Sequence, residues 1–309
     1  MLHGWIILDK PVGLGSTTAV SAMKRILRQA DEPKTKVGHG GTLDPLAGGV
    51  LPIALGEATK LCGRMLDATK AYHFTVRFGE ETDTLDAEGA VVATSKVRPT
   101  LEQVEAILPR FTGDIEQVPP RYSALKIGGK AAYERARSGE AVEMKQRPVT
   151  VHSLCVSAPL REQDGLTRRR RDAETLHEVT LSATVSKGTY IRSLARDIAR
   201  ALETVGHVSR LRRTRAGPFS IESAISLDFL EEAAKARRLT ETVLPLIAAL
   251  DDIPALPVTP GQAQLLRHGQ RLSGFPAAPG LRMAMLEGTP VALVEASADG
   301  LRVVRGFNL

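Results

Sequence analysis

Two stretches of this chain alternate apolar and polar side chains with the two-residue period of a half-buried strand. Tyr72, Phe74, Val76 and Phe78 alternate with His73, Thr75 and Arg77, and Val179, Leu181, Ala183 and Val185 repeat the pattern. A sheet is therefore required. Elsewhere the spacing turns helical: Ile191, Leu194, Ala195, Ile198, Ala199, Leu202 and Val205 share one face of a helix predicted over Tyr190 to Val205, with Gly206 as its stop. Thr100 and Gln103 have the form of a capping box that opens another helix to about Leu108. Strand signals pair with each other more often than they alternate with helices, which predicts an α+β sheet domain rather than a doubly wound parallel sheet. No internal repeat is present.

Charge divides the chain. Of its 309 residues, 41 are Lys or Arg and 35 are Asp or Glu, a net charge of +6. Residues 251 to 309 hold five Arg against five acids, so the first 250 residues carry the whole surplus. The proline-spaced segment 252 to 260 reads as a linker. Beyond it come a short helix candidate, Gln262 to Arg267, and three apolar or alternating runs, Leu281 to Glu287, Val291 to Ala296 and Leu301 to Phe307. Such short strands with Gly and Pro between them predict a small β-barrel. Two domains are expected, 1–251 and 252–309.

Several classes are excluded. The longest stretch without a charged residue is fourteen residues, 253 to 266, and it contains three prolines, whereas a membrane-spanning helix needs roughly 18 apolar residues. Met1 to Pro11 offers four apolar residues in a row before Asp9, too few for a secretory segment, so a cytoplasmic location is expected. Cys62 and Cys155 lie far apart and the seven histidines are scattered without metal-ligand spacing, so catalysis without a metal is expected.

Two segments look like excursions from the domain. Arg121 to Pro148 carries seven basic residues against Glu134, Glu140 and Glu143, with Tyr122 and Tyr133 among them, a mixture that suits a nucleic-acid backbone and its bases. Arg161 to Thr175, with Arg168 to Arg171 in a row, reads as a solvated loop. The most unusual stretch is the glycine-rich run from Val37 to Val50. It is neither a P-loop nor a dinucleotide fingerprint. It presents one imidazole, His39, and one carboxylate, Asp44, and from spacing alone Asp44-Pro45 is a turn or a helix N-cap.

Gly38-His39-Gly40-Gly41-Thr42-Leu43-Asp44-Pro45-Leu46-Ala47 strongly resembles the catalytic loop of the TruB family, the bacterial tRNA pseudouridine-55 synthases. Four further motifs follow the family order. Lys10-Pro11-Val12-Gly13 with Ser16 resembles its N-terminal segment, and Arg121 to Lys126 with Gly129 and Lys130 resembles its thumb. Lys187-Gly188-Thr189-Tyr190-Ile191-Arg192 and Val208 to Thr214 complete the set. Together these cover nearly all of the first 250 residues. The C-terminal piece is similar, less specifically, to the family's small RNA-binding PUA module. Two departures stand in the loop itself, Gly40 and Gly49, at positions where Thr is common, and both leave Asp44 in register.

The resemblance implies a pseudouridine-synthase core with a mixed, largely antiparallel sheet flanked by helices, a thumb insertion at about 121–148, and a PUA-like C-terminal barrel. It also implies isomerisation of a T-loop uridine in tRNA. The bond from ribose C1′ to uracil N1 breaks, the base turns, and C5 takes the place of N1. Asp44 is implied as the catalytic carboxylate, which attacks C1′, stabilises it, or removes the C2′ proton. Arg192 would pair with Asp44 and orient it. Tyr72 would stack on the uracil, its hydroxyl a candidate for taking the C5 proton. The uridine must be everted from the folded loop, at a cost of a few kcal/mol. His39 would support the flipped nucleotides, Leu211 line the pocket, and Tyr190 contact the nucleotide near Asp44. Lys10, with Pro11, is placed at the substrate side chiefly as a support, while Lys126, Lys130, Arg147, Arg210, Arg212, Arg213 and Arg215 would meet phosphates. No cofactor, metal, guide RNA or obligatory protein partner is implied, and the T-arm of tRNA would be met by a monomer. Two other classes are weighed against this one. An RNA chaperone would not need Asp44, Tyr72 and Arg192 together, and a nucleosidase would need a second acid and no basic thumb.

Overall fold

The computed structural model describes residues 1–140, 143–157 and 175–309. Its main sheet is built from β1 (Gly4–Lys10), β2 (Val37–His39), β3 (Ala47–Leu55), β4 (Lys70–Phe78), β5 (Gly113–Gln117), β6 (Arg147–Val156), β7 (Glu178–Val185) and β8 (Gly206–Ala216), with the short strand Phe219–Ser220 on β8. The order is β1-β3-β8-β4-β7-β6-β5, and β2 pairs with β3. Every pairing is antiparallel except that of β3 with β8, so the sheet is mixed and largely antiparallel.

The two alternating stretches lie side by side at the middle of this sheet. Val76 faces Val179, Phe74 faces Leu181 and Tyr72 faces Ala183. Their apolar sides share a core cluster with Ile191, Leu194, Ala195 and Ile198 of the helix Ile191–Ala201. Burying a side chain of this size contributes roughly 1.5–3 kcal/mol, so the alternation fixes which face receives the helix. β1 behaves differently, because Trp5 and Ile7 enter one cluster while Ile6 and Leu8 enter another. Buried on both faces, it reads as a continuous apolar run.

The longer helices here are α1 (Ser16–Gln29), α2 (Leu101–Ile107), α3 (Ile191–Ala201) and α4 (Leu227–Lys235), with α1 and α4 covering the Ile6–Leu8 side of the sheet, and two six-residue helices lie at Cys62–Asp67 and Ala132–Arg137. Thr100 and Gln103 form the capping box of α2, their side chains bonding each other's backbone N–H. α3 starts after Tyr190 but ends at Ala201, four residues short of the stretch predicted for it. The Glu203 N–H bonds Arg200 O and the Thr204 N–H bonds Ala199 O, while Glu203 takes φ +56°. That is a Schellman closure with Glu in the position Gly usually takes, and Gly206 instead opens β8.

The C-terminal unit contains β9 (Ala255–Pro257), α5 (Pro260–Arg267), β10 (Leu272–Ser273), β11 (Gly280–Leu286), β12 (Thr289–Ser297) and β13 (Gly300–Gly306), in the order β9-β11-β12-β13-β10. Two expectations change here. The proline-spaced linker contributes a strand, because Ala255 to Pro257 pairs in parallel with Met283 to Met285. The expected barrel is present in part, as a curled five-stranded sheet in which, among the described residues, no pairing joins β9 to β10. The charge boundary is also not a break in packing. Met283, Leu293 and Phe307 lie in one cluster with Trp5, Ile7, Val50 and Met65. The Arg-rich stretch falls outside the described residues up to position 174.

Candidate active site

The loop between β2 and β3 is held from below by three anchors. Ser16, at the start of α1, donates to Leu43 O at 2.9 Å and accepts from the Leu43 N–H at 2.8 Å. Lys10, at the end of β1, has no exposed surface and donates to Pro11 O (2.9 Å), Leu14 O (2.6 Å) and Pro45 O (3.3 Å). All three ammonium protons are engaged, which removes Lys10 from the substrate-binding set and makes it a support for the loop. Burial pushes its ammonium down to about 8, against the pull of Asp44.

Arg213 is the third anchor. It is buried, with Nε on Val50 O (2.7 Å), Nη2 on Gly41 O (3.1 Å) and Nη1 on Thr42 O (3.2 Å). The expectation that it meets phosphates is overturned, because its guanidinium faces backbone carbonyls on both sides of the loop. Gly49 makes that approach possible. It takes φ +99°, and a Cβ there would fall 2.2 Å from Arg213 O, so only glycine fits where β3 and β8 draw together. A Cβ at Gly40 would meet the Met65 Cβ at 2.7 Å, so Thr at this position requires a different neighbour.

So fixed, Asp44 opens a turn, with the Ala47 N–H on its carbonyl at 3.1 Å. Its carboxylate Oδ2 lies 2.9 Å from Nη2 of Arg192, which stands in the first turn of α3. The pair is asymmetric: the Arg192 side chain is 7% exposed and that of Asp44 37%. Arg192 also donates from Nη2 to Tyr122 O (2.9 Å) and from Nη1 to Thr84 O (2.8 Å), and Nη1 lies 3.2 Å from Asp86 Oδ2.

Sequence reasoning missed Asp86. It is buried, and its other oxygen accepts from Thr84 Oγ1 (2.6 Å) and the Glu88 N–H (3.1 Å). Between the two residues that grip Arg192 stands Leu85 at φ +62°, a conformation that costs a bulky residue of order 1–3 kcal/mol. Neither the strain nor the burial of Asp86 leaves a periodic signal in the sequence.

Above this pair is a cavity of about 280 Å³ lined by Asp44, Lys70, Tyr72, Tyr190, Arg192 and Leu211, among others. It lies near the lower end of the roughly 300–1,000 Å³ usual for small-molecule sites, a fit for one heterocycle rather than an oligomer. Tyr72 and Leu211 reach it from the adjacent strands β4 and β8. Tyr190 is set by Gln117, a second residue the sequence did not reveal. Gln117 Oε1 accepts from the Tyr190 N–H (2.8 Å) and Nε2 donates to Tyr190 O (3.1 Å). Ser123 of the thumb lines the same cavity, and its buried hydroxyl has no partner among the described residues.

The other expected residues stand apart from the cavity wall. His39, half-buried at the end of β2, accepts from the Gly41 N–H at 3.4 Å, and burial together with Arg213 lowers its pKa. Lys126 and Lys130 stand exposed on a hairpin of the thumb, Lys126–Ile127 with Lys130–Ala131. Arg212 is 47% exposed and lies 2.9 Å from Asp9.

Comparison with known proteins adds independent findings. Residues 24–191 match the family described as TruB family pseudouridylate synthase (N terminal domain), and residues 192–251 match the tRNA pseudouridylate synthase B C-terminal domain. The tRNA pseudouridine synthase B of Novosphingobium aromaticivorans is 59% identical over 309 residues, covering 100% of this chain and 98% of that protein. Its Zymomonas mobilis counterpart is 57% identical, covering 99% and 96%. Among solved structures, an H/ACA RNP bound to a substrate RNA containing 2′-deoxyuridine has a similar fold at TM-score 0.71 and 24% identity, covering 99% of this chain and 86% of that one. A Cbf5-Nop10-Gar1 complex follows at TM-score 0.70 and 26% identity, covering 99% and 84%.

Proposed function

The chain belongs to the TruB family of pseudouridylate synthases, and from that premise we propose that it converts a T-loop uridine of tRNA, position 55, to pseudouridine, with Asp44 as the catalytic carboxylate. The observation that carries the assignment of Asp44 is its ion pair with a buried guanidinium at the edge of a one-base cavity.

In this reading Asp44 acts on the ribose as the C1′–N1 bond breaks, either bonding C1′ or taking the C2′ proton. Uracil departs with the bonding electron pair, turns within the cavity, and forms the new bond from C5 to C1′ as Asp44 leaves C1′ or returns the C2′ proton. C5 then loses its proton and N1 gains one, so the overall change is an isomerisation. Arg192 holds the Asp44 carboxylate at a fixed angle, and Asp86 holds Arg192 from behind. Tyr72 offers its ring to the everted base and its hydroxyl to the C5 proton. Tyr190 and Leu211 bound the cavity, and His39 supports the nucleotides around the vacated position. The thumb lysines Lys126 and Lys130, with Arg212, meet the RNA backbone.

The 252–309 unit is read as a PUA-like module that gives the RNA a second contact, and the enzyme as a cytoplasmic monomer that needs no guide RNA. A nucleosidase reading lacks support because the second carboxylate, Asp86, is buried, engaged on both oxygens and absent from the cavity wall. The test treats an unmodified tRNA transcript with enzyme and maps carbodiimide-induced reverse-transcription stops. A stop at the T-loop uridine is expected, and it disappears with Asp44→Asn while tRNA still binds. Activity on free uridine instead of tRNA contradicts the reading.

A further inference from the structure

The cavity contains one cation whose purpose the assignments above do not use. Lys70 opens β4 two residues before Tyr72, and both line the cavity. Its side chain is buried, and among the described residues its ammonium has a single hydrogen-bond partner, Leu66 O. An ammonium carries three donors, so two are left over. The other cationic groups of the wall have more partners: Arg192 holds two carboxylates and two carbonyls, and Arg213 holds three carbonyls. Retaining an ammonium in such a place is costly unless something pairs with it.

The chemistry of the cavity supplies the missing partner. When C1′–N1 breaks, its electron pair passes to the base, whose charge spreads over N1, O2 and O4. Asp44 repels that charge, and Arg192 is already neutralised by two acids. We propose that Lys70 is a further catalytic residue of this cavity, whose ammonium donates hydrogen bonds to a carbonyl oxygen of the departing uracil anion. This inference rests on the uridine-isomerising reading above. Lys70 keeps its proton throughout: the electron pair moves to the base and returns from C5 to C1′, while the ammonium balances the charge in between. The groups around it are Arg213 from β8, Asp67 before the strand, Lys187 after β7, Tyr72 two residues along the same strand, and Asp44 in the cavity wall. Burial first, and then Arg213, bring the Lys70 pKa down to about 8, so the ammonium form is lost as pH rises through that value.

The experiment measures single-turnover pseudouridine formation on a tRNA transcript alongside tRNA affinity. Lys70→Gln is expected to slow the reaction about 10- to 100-fold with affinity changed less than about twofold, the loss of charge-assisted hydrogen bonds made only as the base departs. Lys70→Arg is expected to retain more of the rate. The wild-type rate should fall above about pH 8, and that of Lys70→Arg should not fall in the same range. A Lys70→Gln rate equal to wild type overturns the proposal. So does an equal loss in rate and affinity, which would make Lys70 a contact to phosphate. If Lys70→Gln does not fold, the wild-type pH profile decides, and a flat profile from about pH 7 to about pH 9 overturns the proposal. Wild-type enzyme that forms no pseudouridine at all refutes the functional reading itself, a separate outcome.

Discussion

Arg192→Lys discriminates between holding a carboxylate and merely supplying a positive charge. Arg192 makes four contacts of 2.8 to 3.2 Å, two from each terminal nitrogen: Thr84 O and Asp86 on one side, Asp44 and Tyr122 O on the other. A lysine ammonium is a single point with at most three donors and must favour one side. The Asp86 side chain is 5% exposed, and leaving such a carboxylate without its partner costs about 3–5 kcal/mol. At 37% exposure, Asp44 can be reached by water, and its release costs the fold only about 1 kcal/mol or less. The ammonium should therefore stay with Asp86 and let Asp44 go. Losing one charge-assisted hydrogen bond at the reacting carboxylate is worth about 1.5–3 kcal/mol, or roughly 10- to 100-fold in rate. Single-turnover carbodiimide mapping reads the rate and filter binding reads tRNA affinity, which should change less than about twofold because Arg192 is buried. A rate near wild type, or an affinity loss as large as the rate loss, refutes this account.

Lys126→Ala and Lys130→Ala should each lower the slope of log affinity against log salt by about one, whereas Lys10→Met should leave that slope unchanged while lowering the melting temperature. A reduced slope for Lys10→Met would return that lysine to the RNA surface. Tyr72→Phe should bind tRNA normally and stall after C1′–N1 cleavage if the phenol takes the C5 proton; full product formation leaves stacking as its only role. Gly49→Ala should lower the urea midpoint by an amount equivalent to more than about 2 kcal/mol, since its methyl would enter the space of Arg213 O, and an unchanged midpoint contradicts that packing.

What could be read in advance divides along physical lines. The strands at Tyr72–Phe78 and Val179–Val185 were legible because one face of each is buried, and burial on one face writes itself as alternation. β1 was less legible because burial on both faces leaves only a short apolar run. The end of α3 was misplaced because Glu203, not a glycine, takes the left-handed position. At the site, the motifs identified residues by type and order but not by exposure. Lys10 and Arg213 look like RNA-binding cations in the sequence, yet their charges lie inside, on backbone carbonyls that for Arg213 all come from distant residues and for Lys10 include Pro45 O. Asp86 and Gln117 gave no signal because each acts on a partner remote in the chain, Arg192 and Tyr190.

The shared apolar cluster beneath the C-terminal sheet has a mechanical consequence. With Phe307 and Met283 packed among Trp5, Val50 and Met65, the outer unit has no lubricated seam along which to swing. The spacing between the cleft and the outer sheet is then set by this packing and not by the proline-spaced segment alone. Under the proposed function, an RNA that touched both surfaces would have to match that spacing.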